Sequence, residues 1–412
     1  MGQVTMQQAL YIARETTQLA DPSADGSSMY PVPFSELSEI SDLKAGIATS
    51  YGTGRGLPTA DEASEDDGWS FTLKTPMIGL PSAAGDGVNA STVTEDWYSL
   101  ILRNIFGVHS TTAGEGTASS ADTTHVTMDA AILAVQQYVP IYAAAAAYSQ
   151  WRHVTADGGG AAYTIEPPLV VQPGGSDVVY GQHRYQLATF TPGQAYPSIF
   201  GGGLPATSNL LRFQVVQAGQ QYNLGGGYCT AFKISADVNM PVVCEYTFEG
   251  ITKSVGTKAS LPQAIAAPSI APIKLHRVGS FFGTSDLGCK SLAVDFGIQA
   301  TRVFSSTQQY GFGGWQTVGM APTVTINPLF DSAFETLKRA ATTGGVFLQF
   351  GQGAYAASVL NTVGLHLAQA QIRKSDGADV DGLRRSALEL FASDKVRFDA
   401  TTQAVFGQLC RA

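Results

Sequence analysis

Apolar and polar positions alternate along most of this chain, a pattern that predicts strands far more often than helices. In WSFTLKTPMIG, Trp69, Phe71 and Leu73 alternate with Ser70, Thr72 and Lys74, the period of a half-buried strand ended by Pro76 and Gly79. The stretch LLRFQVVQAGQQYNLGGGYCTAFKISADVNMPVVCEYTFEG reads as three strands, with a hairpin turning at Ala218 and Gly219. Within it Phe232, Ile234 and Ala236 point one way while Lys233, Ser235 and Asp237 point the other. KSLAVDFGIQATRVF and APTVTINPLF keep the same period, Val324 and Ile326 against Thr323 and Thr325. GVFLQFG, ASVLNTVGLHLAQAQI and DKVRFDA form a closing set of strands, and the pattern leaves open whether LRRSALELFAS is a short helix between them.

Two segments break the alternation with helical spacing. TEDWYSLILRNIFG predicts a helix over 94–107, with Thr94 as N-cap, Glu95 and Asp96 at the positive helix start, and Gly107 closing it. Trp97, Leu100, Ile101 and Ile105 share one face, as in an amphipathic helix packed on a sheet. DSAFETLKRAATTGG predicts a second helix over 331–343, with Asp331 as N-cap, Glu335 in the first turn and Gly344 beyond the end. The order strand, Pro-containing break, capped helix, Gly stop thus occurs at both 69–107 and 323–344 and points to an internal duplication.

Three regions follow. Residues 1–150 form an N-terminal half with strand 69–79 and helix 94–107, preceded by a mostly irregular stretch. Residues 151–208, rich in Gly and Pro, are expected to be a loop-rich insertion or small lobe, and residues 209–412 a C-terminal half. Between them, Thr123–Tyr148 reads as further strand, its Ala run also compatible with helix. The fold class is mainly β, a sandwich or barrel with flanking α-helices.

Composition narrows the function. Only 14% of the 412 residues are charged and 45 are Gly, a composition that suits extensive permanent subunit contact, since buried charge at an interface is costly, and equally an extracellular β protein. The net charge of −9, without any Lys/Arg block, excludes a protein that grips phosphates. Cys229, Cys244, Cys289 and Cys410 show no C-x-x-C pairing and are expected to be reduced core residues. No basic leader precedes an apolar run and no stretch has the length of a membrane span, so cytoplasmic synthesis without secretion is expected.

Candidate chemistry is sparse. GTSDLGCKS (Gly283–Ser291) approaches a phosphate-cradling loop, but Cys289 spoils the spacing and a strand follows. Gly201–Gly203 and Gly225–Gly227 lack the strand-to-helix setting of a dinucleotide site and are expected to be flexible loop tips. His109, His125, His153, His183, His276 and His366 are scattered, none at metal-ligand spacing from another. The cluster Asp61, Glu62, Glu65, Asp66, Asp67 lacks the calcium-loop pattern. Asn89-Ala90-Ser91 fits a glycosylation sequon that means nothing without secretion. The expectation is no catalytic residue, no cofactor and no metal: not an enzyme.

Taken together, the ARETT and SYGTGRG stretches, WSFTLKTPMIG followed by EDWYSLILRNIFG, FQVVQAGQQYNLGGGYCTAFKISADVNMPVVCEYTFEG, and SLAVDFGIQATRVFSSTQQYGFGGWQTVGMAPTVTINPLF resemble the tail tube proteins of long-tailed bacteriophages. The likeness covers most of the chain, is weakest over 109–208, and rests on the order of strands, glycines and helix. It implies a structural virion protein whose β-sandwich closes edge to edge with copies of itself. The copies form homotrimeric pseudo-sixfold rings if the duplication is real and homohexameric rings if not. Stacked rings would make a conduit for double-stranded DNA without binding it, joined to terminator, tape-measure and baseplate or tip proteins, with no membrane partner. Asp237, Glu245 and Glu249 are the candidate lumen-lining residues. Rival expectations are a capsid or decoration protein of the virion, and a carbohydrate-binding adhesive β protein using Trp151, Tyr163, Tyr180 and Tyr185 as stacking platforms.

Overall fold

In a computed structural model of the chain, the residues described are 8–15, 29–44, 67–80, 96–112, 116–119, 122–129, 133, 137–143, 148–159, 161–174, 177–179, 182–187, 210–217, 219–257, 272–304, 312–328, 332–351, 361–380, 383–392 and 407–412. The first part runs through β1 (Ala9–Arg14), β2 (Tyr30–Pro31), β3 (Glu36–Leu37), β4 (Ser41–Lys44), β5 (Asp67–Pro76) and helix α1 (Trp97–Phe106). It continues with β6 (Gly107–Thr112), β7 (Gly116–Ser119), β8 (His125–Met128), β9 (Tyr138–Ala143), β10 (Tyr148–Gly159), β11 (Ala162–Glu166), β12 (Asp177–Val179) and β13 (Gln182–Leu187). It ends with β14 (Leu211–Gln217), β15 (Gln220–Asp237), β16 (Val243–Gly250) and β17 (Thr252–Thr257). The second part comprises β18 (Leu275–Phe282), β19 (Ser285–Asp286), β20 (Ser291–Asp295), β21 (Ile298–Phe304), β22 (Phe312–Met320), β23 (Thr323–Ile326), helix α2 (Ser332–Arg339), β24 (Thr343–Phe350), β25 (Val363–Val380), β26 (Leu383–Ala392) and β27 (Gly407–Arg411). The fold is mainly β, and every strand pairing is antiparallel save one isolated bridge.

Strand pairing makes the two parts repeats of one plan. In the first, β5 pairs with β16, β16 with β15, β15 with β14 and β17, and β14 with β1. In the second, β23 pairs with β26, β26 with β25, β25 with β24 and β27, and β24 with β18. The central strands β15 and β25 are each 18 residues long. Both carry a register shift at Thr230 and at Arg373, ten positions past the first residue (220 to 230, 363 to 373). Their partners shift alike: Leu211 and Phe213 face Gly227 and Leu224, while Gly344 and Val346 face Ala370 and Leu367. A β-bulge redirects a strand, and these bulges turn β15 and β25 out of one sheet into another.

Each repeat therefore has a five-strand outer sheet, β17-β15-β14-β1-β2 or β27-β25-β24-β18-β19, and contributes to a long sheet shared by both. The long sheet runs β3/β4-β5-β16-β15-β20-β23-β26-β25, with β15 against β20 as the junction between repeats. The repeat boundary lies between β17 and β18, so β14–β17 belong to the first half. The expected C-terminal half starting at 209 is too long by those strands.

The core fills the space between the sheets. Phe71, Phe213 and Phe248 pack edge-on or tilted, and Phe232 stacks on Tyr246 and Phe296. Helix α1 lies inside this core: all its residues except Arg103 are buried, so it is not the one-faced amphipathic helix expected. Its N-cap is Asp96, whose carboxylate accepts from the Ser99 N–H at 2.7 Å, and Gly107 closes it at φ 74°. Thr94 and Asp331 lie outside the described residues. Helix α2 buries Phe334 and exposes Arg339. LRRSALELFAS is strand β26; its Leu388 and Leu390 alternate inward beside β25 and β23.

Strands β7–β12 close into a separate barrel, β10-β11-β8-β7-β12-β9, around Val126, Ile141, Val154 and Tyr163. The barrel is inserted between β6 and β13, which pair with each other and extend the second outer sheet through β27. The expected boundary at 150 thus falls inside β10, and the inserted lobe spans 116–179 instead of 151–208.

Candidate assembly surface

The outward face of the long sheet is polar. Along β15 and β16 the inward positions are buried, while Lys233, Ser235, Asp237, Glu245, Thr247 and Glu249 face out. All three candidate lumen residues therefore share one face, as strand period dictates. Their surroundings are not purely acidic. Lys74 bonds Glu36 at 2.7 Å and lies 3.6 Å from Glu245; Lys233 bonds Asp295 at 3.2 Å. Thr230 donates to Glu249. The face offers partly self-paired charge with an acidic excess among small hydroxyl side chains, a surface with few unanswered cations to hold a polyanion.

Among the described residues both ends of the long sheet are open: β3 and β4 pair with β5 alone, and Asp376–Val380 of β25 pair with β26 alone. Unpaired strand edges are templates for another strand.

Three consecutive carbonyls hold the corner where β15 changes sheets. Trp69 Nε1 donates to Gly225 O, Trp315 Nε1 to Gly226 O, and Asn104 Nδ2 to Gly227 O. Asn104 Oδ1 also accepts from the Cys229 N–H. The bulge interrupts the ladder with β14 here, and these side chains bond the carbonyls, Gly225 O also keeping the Ile251 N–H at 3.2 Å. A Cβ on Gly227 would lie 2.7 Å from the Phe213 ring, so the backbone approaches too closely for any side chain. Gly225–Gly227 are thus a buried joint inside a strand and not the loop tips expected.

Arg411 of β27 ties the helix start to the sheet. Its guanidinium makes a bidentate pair with Asp96 at 2.7 and 2.9 Å, donates to Ser99 Oγ and to the carbonyls of Ile78 and Gly79, and lies over the Tyr98 ring. Tyr185 of β13 donates to the same Ser99 Oγ. Burial favours the protonated Asp96 carboxyl, but the Arg411 charge and hydrogen bonds hold it below the usual carboxylate range.

The barrel docks on the second outer sheet through Trp151 of β10. Trp151 Nε1 donates to Thr362 Oγ1, its backbone N–H donates to Gln349 Oε1, and Gln349 Nε2 donates to Ser149 O. Beside this seam the rings of His153 and His366 sit 4.2 Å apart, with Phe347 stacked on His366 and Tyr138 alongside. His153 Nε2 and His366 Nδ1 have no hydrogen-bond partner. Burial lowers the His153 pKa to about 4, and burial with the neighbouring His153 lowers that of His366 well below the ordinary value. Sequence spacing missed this pair, because β10 and β25 are distant in the chain and only the inserted barrel brings them together.

Other sequence candidates come to rest in structural roles. Gly283 opens a turn between β18 and β19 at φ 58°, and Cys289 is buried against Ser280. The four cysteines are free and buried. Trp151, Tyr163 and Tyr185 are buried, so they are no sugar-stacking platforms; Tyr180 lies outside the described residues. The acidic run 61–66, Gly201–Gly203 and the Asn89 sequon also lie outside them. Among the described residues no group of three His, Cys, Asp or Glu side chains can hold a metal, and no helix is long and apolar enough to cross a membrane. No family model and no curated protein matches the chain.

Proposed function

We propose that this protein is a structural subunit of a long-tailed phage tail tube, polymerising as stacked rings into a hollow conduit for DNA. One observation carries the reading: a long sheet, polar on its outward face, built from two repeats and left open at both ends. Head-to-tail contacts between unlike edges close into rings or run on as filaments. Closure pairs the two end strands of the long sheet and turns the polar face into a wall. Self-paired charges on that wall, such as Lys233 with Asp295, leave little to retain passing phosphates. Negative-stain microscopy of the purified protein tests the reading. Rings or tubes are the expected result; a protein that stays monomeric at high concentration would refute it.

A further inference from the structure

The repeat plan specifies how copies of this chain meet. Apart from the inserted segment β6–β13, every pairing of the first repeat has a counterpart in the second, with one exception. Strand β15 pairs with β20 over Lys233–Asp237, on the side from which β14 has departed. The equivalent stretch of β25, Asp376–Val380, follows the departure of β24 on the same side and finds no strand there among the described residues. The missing strand is the first-repeat equivalent of β20.

That equivalent is identified by register. Opposite β23, β20 sets Leu292 against Ile326 and Asp295 against Thr323. The bulged central strands equate Thr247 and Phe248 with Glu389 and Leu390. Through β16 and β26 this equates Leu73 with Ile326 and Ser70 with Thr323. Leu37 faces Leu73 and Ser41 faces Ser70, so Leu37 matches Leu292 and Ser41 matches Asp295. The match extends to packing, since Leu37 and Leu292 are both buried in the core.

We propose that Asp376–Val380 of one copy pairs antiparallel with residues 36–41 of a second copy, in the register of β15 on β20. Asp376 then sits opposite Ser41, as Lys233 sits opposite Asp295 within the chain. The occupant is a second copy because the chain carries both halves of the junction, one at each end of the same sheet. The proposal rests on the tube reading and sharpens it, since the duplicated long sheet sets the ring size. Each copy supplies eight strand positions. At about 4.8 Å per strand and about 40° tilt, two copies enclose a backbone diameter of about 32 Å and three about 48 Å. Side chains from opposite walls take about 10 Å of either. Two copies leave no room for a hydrated duplex with its counterions, and three are the fewest that do.

Paired cysteines read the register. Directly opposed residues bring Cβ atoms to about 4.5–5.5 Å, near disulfide reach, and diagonal neighbours stay at about 7–8 Å. Both Ser41 and Asp376 are exposed, so the double variant Ser41→Cys/Asp376→Cys is expected to fold as the parent does. Under mild oxidation of the assembled protein it should give covalent dimers and then a closed species of three chains on non-reducing gels. The off-register variant Ser41→Cys/Lys374→Cys and the parent should give none. Rings or tubes whose 41/376 pair does not link, or whose closed species contains another number of chains, overturn this junction while leaving the tube reading intact. A protein that never assembles overturns both.

Discussion

Acidification should loosen the inserted barrel before it unfolds the rest of the chain, and the His153–His366 contact sets the size of the effect. Both rings are neutral in the folded protein: burial depresses His153 to about 4, and burial together with the neighbouring His153 holds His366 well below its ordinary value. An unfolded histidine titrates near 6.5. Between those values the unfolded state binds protons that the folded state refuses, so stability present above about pH 6.5 is lost as pH falls. From pH 6.5 to pH 5, at about 1.36 kcal/mol per unit, the His153 ring removes about 2 kcal/mol, and His366 adds a loss of the same sign. The loss falls at the seam where Trp151 meets Thr362. Urea unfolding followed by tryptophan fluorescence at pH 7 and pH 5 measures it, with the double variant His153→Phe/His366→Leu as reference. The parent should lose at least about 2 kcal/mol more than the variant over that interval. Parallel losses in the two proteins would refute the reasoning, because carboxylate titration is common to both.

Two further substitutions probe other joints. Arg411→Met strands the Asp96 carboxylate in the core and should cost about 3–5 kcal/mol by urea unfolding. Adding Asp96→Asn, which keeps a good N-cap, should recover most of that loss. In Gly364→Ala the new Cβ would lie 2.6 Å from Trp151 Cδ2, pushing the indole off the sheet. A red-shifted tryptophan emission and a loss of about 1–3 kcal/mol are expected, whereas Gly256→Ala, with open space at its Cβ, should change neither.

Much of the long sheet was legible in the sequence because its strands keep one face dry. The alternation of Phe232, Ile234 and Ala236 with Lys233, Ser235 and Asp237, and that of Trp69, Phe71 and Leu73, appear in the structure as read. Period two also put Asp237, Glu245 and Glu249 on one face. Helix α1 was legible in position but not in setting. Its apolar stripe is a full girdle, and the polar residues Ser99 and Asn104 serve buried partners. Triple glycine reads locally as flexibility, and only three donors from distant segments reveal a rigid corner. The barrel escaped notice for a related reason. Its strands other than β10 are short, and its closure depends on pairings such as β9 with β12 that skip over intervening elements.

The barrel enters from the first repeat yet rests on the outer sheet of the second, and no such module is inserted between α2 and β24. Fusing two repeats in one polypeptide lets alternate positions diverge without a second gene. Any polymer of this chain would therefore carry an exterior ornament at every other station, giving its outside half the rotational periodicity of its strand framework.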